Sequence, residues 1–279
     1  GVRIMAYTTI DDPSAYFQTA TWSGNASTQS ITNDGNSDLK PDWAWTKDRG
    51  IGYGNKLMDS SRGLGSSGKF LITNSNAAES AIDDYMMTFD TDGFSVGAGD
   101  AGFNASNDTY VTWQWKAGGG TTSSNTDGDI TSTVQANTTA GFSIITYTGS
   151  GTTDDTIGHG LGVAPDIAIF KRRDVATGNW DVQHNAGNPG AIQVAYRHTL
   201  NLTEGTATNV LSSFSSSTIG LSTGGDAQKN VSGSKYVCYA FKAIPGYSAF
   251  GSYYGNASTN GAFVYTGFKP ALVIFKVLS

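Results

Sequence analysis

The sequence predicts an all-β protein made of tandem antiparallel β-sandwich-like modules, the last of them an incomplete third repeat. Three observations predict this class: a composition rich in turn-forming residues, short apolar segments, and an internal repeat. The chain has 36 Gly among 279 residues, and only 14% of its residues are charged, against about a quarter in an average domain. Its 13 Phe, 13 Tyr and 6 Trp exclude a disordered chain. The lack of periodic Leu, Glu, Lys and Ala disfavours a helical bundle.

The internal repeat consists of three short motifs that recur in the same order. The first motif is an aromatic residue before a glycine turn, the second is a Pro-led strand closed by Lys, and the third is an aromatic strand ending in Lys-Ala. The copies are Trp22–Gly24, Tyr147–Gly149 and Tyr253–Gly255 for the first motif, Pro41–Lys47, Pro165–Lys171 and Pro270–Lys276 for the second, and Trp113–Ala117 and Tyr239–Ala243 for the third. A chance match would not keep such constant spacing.

Each motif predicts a strand or a turn for a physical reason. Proline cannot donate to a β-ladder, so it suits the first position of a strand. The apolar run after Pro165 predicts a strand buried on both faces. The third motif alternates between polar and apolar residues, which is typical of a sandwich strand with one core face. Asp-Gly at Asp92-Gly93 predicts a hairpin, and Asp12-Pro13 predicts a single helical turn.

These motifs divide the chain into five parts. We expect an N-terminal segment at 1–16, a first β module at 17–118, a Gly/Ser/Thr-rich linker at 119–140, a second β module at 141–246, and the start of a truncated third module at 247–279. The third copy is expected to be incomplete because only nine residues follow Pro270.

Charge and cysteine content exclude several partners. The net charge is −6, and nucleic-acid binding needs a basic surface that neutralises phosphates, so no nucleic-acid partner is expected. No apolar run approaches the ~18–20 residues that span a bilayer, so no membrane insertion is expected. Cys238 is the single cysteine, which excludes an intrachain disulfide and is typical of a buried, inert thiol.

No pattern in the sequence indicates catalysis. The three histidines, His159, His184 and His198, lack metal-ligand spacing with a cysteine or a carboxylate, so we predict no metal site among them. Neither a nucleophile–base pair nor a carboxylate dyad is visible, so we predict that the chain is not an enzyme. No cofactor is expected. The Asp-rich turns at 90–93 and 125–129 leave open the alternative that the surface binds a Ca²⁺ ion.

Three residues are candidates for ligand binding. Trp180 lies among polar residues, with His184 close by in sequence, and Tyr53 lies in the matching part of the first copy. An exposed aromatic ring with polar neighbours could stack on the apolar face of a sugar. The alternative, which we favour, is that Trp180 is a partly buried tryptophan in an edge strand.

Several segments resemble a family of virion-associated repeat proteins, tail or appendage components of marine tailed phages. The matching segments are Tyr7–Thr19, Ile31–Trp43, Asp59–Gly63, Thr156–Gly162 and Phe263–Pro270. The resemblance covers nearly the whole chain and brings no binding residues with it. It implies a structural protein of the phage virion, located in a tail fibre, a tail tip or a surface appendage.

The resemblance also implies partners. We expect contacts with other virion proteins, a homo-oligomer, and a host envelope that could present a surface glycan. One alternative function is a carbohydrate-binding module or adhesin, which would need exposed aromatic rings in both modules. A second alternative is a capsid decoration protein.

Overall fold

The computed structural model describes residues 8–65, 68–81, 87–98, 102–184, 197–202, 213–221 and 229–276, with only the backbone at 197 and 198. Within these residues the regular structure is β-strand, apart from a 3-10 turn at Pro13–Ala15, which confirms the all-β class. Asp12 caps this turn by accepting a hydrogen bond from the Ser14 amide at 3.0 Å, as its position before Pro13 predicts. Residues 1–7 of the predicted N-terminal segment lie outside the described residues.

The strands are short and follow one another through tight turns. In the first half of the chain they are β1 Phe17–Ser23, β2 Gln29–Ile31, β3 Trp43–Asp48, β4 Lys56–Asp59, β5 Lys69–Ile72, β6 Ser80–Ala81, β7 Thr88–Phe89, β8 Phe94–Val96 and β9 Thr109–Trp115. In the second half they are β10 Ser123–Asn125, β11 Ser132–Asn137, β12 Phe142–Thr148, β13 Thr156–Gly158, β14 Ile167–Arg172, β15 Trp180–His184, β16 Arg197–Thr199, β17 Thr218–Gly220 and β18 Lys235–Phe241.

Two large sheets organise the fold. The first large sheet has the strand order β1-β9-β3-β4-β5-β6, and the second large sheet has the order β10-β11-β12-β18-β14-β15-β16. Two small sheets, β2-β8-β7 and β13-β17, each pack against one large sheet. The hairpin predicted at Asp92-Gly93 is present as the antiparallel pair β7 and β8. All of the paired strands run antiparallel among the described residues.

The sequence repeat corresponds to a repeat of the sheet. The order β1-β9-β3-β4 in the first large sheet matches β12-β18-β14-β15 in the second. The register agrees as well, because Phe17 lies opposite Trp115 and Phe142 lies opposite Phe241. The two copies are therefore versions of one structural unit.

In both copies the aromatic residue of the first motif stacks on a tyrosine near the start of the strand that leads into the third motif. Tyr110 stacks on Trp22 with 5.2 Å between ring centroids, and Tyr236 stacks on Tyr147 at 5.1 Å. In both copies the hydroxyl of the β9 or β18 tyrosine accepts a hydrogen bond from a backbone amide five residues earlier, at 2.9 Å. These shared contacts explain why the two motifs recur together.

The aspartate after the motif proline caps the end of the third-motif strand. The amide of Asp42 donates to the Trp115 carbonyl at 2.8 Å, and the Asp42 carboxylate accepts from the Ala117 amide at 2.7 Å. In the second copy Asp166 accepts from the Ala243 amide at 2.7 Å. A carboxylate satisfies these terminal amides with charge-assisted hydrogen bonds, which links Pro-Asp to Lys-Ala across the sequence.

Three apolar cores separate four layers of sheet. One outer core lies between the first large sheet and its small sheet, and another lies between the second large sheet and its small sheet. The third, which we call the middle core, lies between the two large sheets and includes Trp43, Leu57, Leu71, Phe142, Ile144, Trp180, Val237 and Tyr239. The two modules therefore share a core instead of following each other as separate sandwiches.

The predicted linker at 119–140 is wrong. This segment contains β10 and β11, which form one side of the second large sheet. The Gly118 and Gly120 amides donate to the Gln135 side-chain oxygen at 3.1 and 3.0 Å. The glycines of this segment thus form a tight, hydrogen-bonded turn between the two modules.

The third copy of the repeat does not form strands in this structure. Residues 249–276 contain none, and residues 277–279 lie outside the described residues. In the first two copies the first-motif and second-motif strands both pair with the third-motif strand. No strand of the described chain pairs with residues 249–276. Ala271 also replaces the capping aspartate.

Replacing Asp42 tests the capping interaction. Asp42 is fully buried, and its carboxylate also accepts from the Gly119 amide at 2.8 Å. We expect Asp42→Ala to lower the free energy of unfolding by about 2–4 kcal/mol, because buried amides lose a charged acceptor. Asp38→Ala, at an exposed position, is the control and should change it by less than about 0.5 kcal/mol. Equal effects in urea unfolding would contradict the capping role.

Candidate functional site

Trp180 is neither a platform for a sugar nor the partly buried edge-strand tryptophan that we favoured, because β15 lies between β14 and β16. Trp180 has no exposed surface, lies in the middle core, and donates from its indole nitrogen to the Ile72 carbonyl at 2.9 Å. Its polar neighbours face elsewhere: Asp181 points to the opposite side of β15, and Asn179 accepts a hydrogen bond from the Asn201 side chain. The Trp180 ring therefore offers no face to a sugar.

The other two candidate residues do not replace this platform. Tyr53 lies in the loop between β3 and β4, and its side chain is 40% exposed. His184 ends β15 opposite Ile167 and is half-buried. His184 is four residues from Trp180, roughly 13 Å along the strand. A contact between a glycan and Tyr53 or His184 stays a prediction.

The described residues hold no group of three His, Cys, Asp or Glu side chains placed to bind a metal. Carboxylates in the predicted Asp-rich turns accept protein hydrogen bonds: Asp90 from Thr88 and Ser95, and Asp92 from the Leu39 amide. A surface Ca²⁺ stays a prediction. In the described part of the chain, no helix has the length and apolarity needed to cross a bilayer.

A network of charged groups joins the two modules at one edge of the middle core. Arg62 contacts the Asp59 carboxylate at 2.5 Å and the Glu79 carboxylate at 2.7 Å. From the second module, Tyr239 donates to Asp59 at 2.7 Å and Arg173 contacts Glu79 at 2.8 Å. The sequence analysis missed these residues, because none of them belongs to a recognisable catalytic or metal motif.

Burial and charge act in opposite directions on this network. Burial alone would raise the pKa of Glu79, but the hydrogen bond from Arg173 and the charges of Arg62 and Arg173 outweigh it and hold that pKa below its usual value. Burial raises the pKa of the Tyr239 hydroxyl well above its ordinary range. Tyr239 therefore stays protonated and donates to Asp59, and the network serves as a structural tie between the modules.

The most exposed apolar surface of the described chain is the segment 249–276, which we call the C-terminal segment. Seven of its large apolar side chains are more than half exposed, at 58% for Tyr253, 96% for Tyr254, 89% for Phe263, 78% for Tyr265, 67% for Val273, 58% for Ile274 and 76% for Phe275. Surface apolar residues scattered singly are normal, whereas a contiguous set indicates an interaction site.

The C-terminal segment contacts the rest of the chain near both of its ends. Near its start, Phe250 packs on Phe241 with 6.2 Å between ring centroids. At its end, Lys276 donates to the Leu202 carbonyl. The segment carries Lys269 and Lys276 and no acidic residue, so its charge of +2 leaves −8 for the rest of the chain. The signal for this surface was present in the sequence, as the apolar runs at 263–265 and 271–275.

A sheet edge lies open at β1. The Tyr16 carbonyl accepts from the Lys116 amide and the Gly24 amide donates to the Asp108 carbonyl, at the two ends of β9. The intervening odd-numbered residues therefore direct their backbone groups away from β9. No strand of the described chain pairs with that outer edge, whereas β11 covers the equivalent edge of β12. Thr19 and Thr21 are exposed there. An unpaired edge of this kind accepts a strand from another chain.

The pH dependence of stability tests the charged network. Because the pKa of Glu79 is lowered in the folded state from its ordinary 4.5, its contribution is present above that value and is lost as the pH falls through the folded-state pKa. We expect Glu79→Gln to destabilise the protein by about 2–3 kcal/mol at pH 7. The difference from the wild type should shrink at pH values below 4.5.

The control is Asp174→Asn, which breaks a more exposed ion pair with Arg172 and should cost less than about 1 kcal/mol. The measurement is urea unfolding of each variant between acid and neutral pH. A Glu79→Gln effect that stays constant across this pH range would contradict the account.

Comparison with known proteins yields a family. No curated protein and no solved structure matches the chain. A family model described as a domain of unknown function, DUF7483, matches residues 12–279. This match includes both large sheets and the C-terminal segment. The chain therefore belongs to the DUF7483 family.

Proposed function

We propose that the chain is a non-enzymatic structural protein of a tailed-phage virion, in a tail fibre, a tail tip or a surface appendage. Two lines support this proposal: the sequence resemblance to virion-associated repeat proteins and the exposed apolar C-terminal segment. The segment is the observation that carries it, since a group of exposed apolar side chains indicates an interaction site. In an assembled particle, every subunit has neighbouring subunits that can cover this apolar surface.

The partner that fits the C-terminal segment best is a second copy of this chain. The segment has a charge of +2, whereas the remainder has −8, so the segment of one copy is attracted to the body of the next. The apolar runs at 263–265 and 271–275 have the composition of strands. A donated strand needs a sheet edge whose backbone groups are free.

The outer edge of β1 is that acceptor. In the second large sheet the equivalent position is filled by β11, which shows that this fold accepts a strand there. The segment and the edge are different surfaces, so the contact is head-to-tail. Such contacts build rings or open filaments, and both suit a fibre or an appendage.

The test is the copy number of the chain in purified particles of a phage that encodes it, measured by quantitative mass spectrometry. We expect several copies per particle. The triple variant Phe263→Ser, Tyr265→Ser, Phe275→Ser should be lost from particles, because it removes exposed apolar contacts without touching a core. Thr21→Pro should also be lost, because it removes an outward amide at the open edge.

Two matched variants serve as controls in the particle experiment. Thr259→Ala changes an exposed polar residue of the same segment, and Thr21→Val keeps the edge amide. Both should assemble at the wild-type level. Particles without the chain would contradict the virion role, and normal incorporation of the triple variant would contradict the role of the segment.

A further inference from the structure

The core between the second large sheet and its small sheet contains a lysine and an aspartate without any exposed surface. The Lys229 ammonium nitrogen lies 3.6 Å from an Asp181 carboxylate oxygen, and both side chains are fully buried. The Lys229 nitrogen also lies 5.6 Å from the centre of the Phe170 ring. Asp181 belongs to β15, and Lys229 precedes β18, so the contact joins two parts of the chain that are distant in sequence.

The positions of Asp181 and Lys229 also lie next to each other in the first copy of the repeat. Asp181 lies opposite Phe170 in the second copy, and Lys56 lies opposite Thr46 at the matching place in the first. The residue matching Lys229 is Phe103, and Lys56 lies 4.4 Å from the centre of the Phe103 ring. The first copy thus holds a lysine on an aromatic ring where the second copy holds a lysine on a carboxylate.

The backbone at both positions is fixed in the same way. In the second copy the Tyr147 hydroxyl donates to the Lys229 carbonyl at 2.7 Å. In the first copy the Trp22 indole, at the position of Tyr147, donates to the Phe103 carbonyl at 3.3 Å. The main chain that carries Lys229 is therefore anchored beside its partner, and this restricts how far the two groups can separate.

We propose that Lys229 and Asp181 form an intramolecular isopeptide bond. Transfer of a proton from the ammonium to the carboxylate gives a neutral amine and a carboxylic acid, the forms that can react. The amine nitrogen attacks the Asp181 carboxyl carbon, and a C–N bond forms. The C–O bond to the hydroxyl then breaks, and one water molecule leaves with the proton from nitrogen. Atoms and electrons balance without an oxidant or a second substrate.

The surroundings of the pair favour this reaction. The two side chains are fully buried and in contact, so bulk water does not separate the amine from the carboxyl group. Groups held in contact react with effective concentrations of about 10⁵–10⁸ M in well-oriented cases. Cys238 lies in the same core, and burial raises the pKa of its thiol well above the usual value. The protonated thiol does not compete with the amine as a nucleophile.

A covalent bond here has a clear mechanical role. With Cys238 as its single cysteine, the chain cannot use a disulfide to resist pulling. A bond between β15 and the residue that leads into β18 closes a loop from 181 to 229 and locks two strands of the second large sheet together. A subunit that carries load in a filament gains from this lock, although the bond does not depend on the proposed virion function.

The test uses the wild-type full chain in denaturant. Its intact mass should be lower than the mass of the sequence by one water. The chain has only two glutamates, Glu79 and Glu204, and Glu204 lies between the two reacting residues. After cleavage at glutamate, the fragments 80–204 and 205–279 should stay joined on a denaturing gel, because the single cysteine leaves no disulfide to hold them.

Two variants make the result specific. Lys229→Arg keeps the charge but places a guanidinium where the amine was, so the full mass should return and the fragments should separate. Lys56→Arg, at the matching site of the first copy, should leave the bond intact. A wild-type mass equal to that of the sequence would overturn the proposal. So would a missing water with separable fragments, which places the loss elsewhere, such as a succinimide at Asp92 or Asp127.

Discussion

The packing of the two large sheets through the middle core is the constraint on which the rest of the structure depends. Trp43 lies at its centre, with ring centroids 4.5 Å from Trp115, 5.8 Å from Phe142 and 5.4 Å from Tyr239. Aromatic side chains bury about 150–250 Å² each, so a few of them dominate the energy of such a core. Because each large sheet also carries a small sheet on its other face, its central strands are covered on both sides.

The polar contacts at the edge of this core fix how the sheets are placed. Apolar packing alone tolerates sliding, whereas the contacts of Arg62 with Asp59 and Glu79 require one alignment. Lys171 adds a similar tie: its ammonium donates to the carbonyls of Asn76 and Gly178. Burial lowers the pKa of Lys171 to about 8, because the interior solvates the charged ammonium less well than water does.

Much of the fold could be predicted from the sequence because the repeat is local and physical. Pro41 marks a strand start, and its motif returns at a constant distance, whereas the cap at Asp42 became visible only in the fold. The middle core could not be predicted, because apolar residues on both faces of a strand do not reveal what covers each face. The prediction of a linker at 119–140 was wrong because a glycine-rich sequence does not reveal the hydrogen bonds that its backbone amides donate to Gln135.

The candidate site was harder to predict for a related reason. Trp180 has polar neighbours in sequence, but alternation along a strand sends successive side chains to opposite faces. A polar sequence context therefore does not imply an exposed ring. The Lys229 and Asp181 pair was invisible as well, because its members are 48 positions apart in the sequence and only the fold brings them within 3.6 Å.

Calorimetric unfolding of the full chain tests the central claim most directly. If the middle core unites both large sheets, the two modules unfold together, and a single heat-absorption peak should appear with equal calorimetric and van't Hoff enthalpies. Independent modules would instead give two transitions. A pair of separable transitions, one assigned to 17–118 and one to 141–246 by hydrogen exchange, would contradict the account.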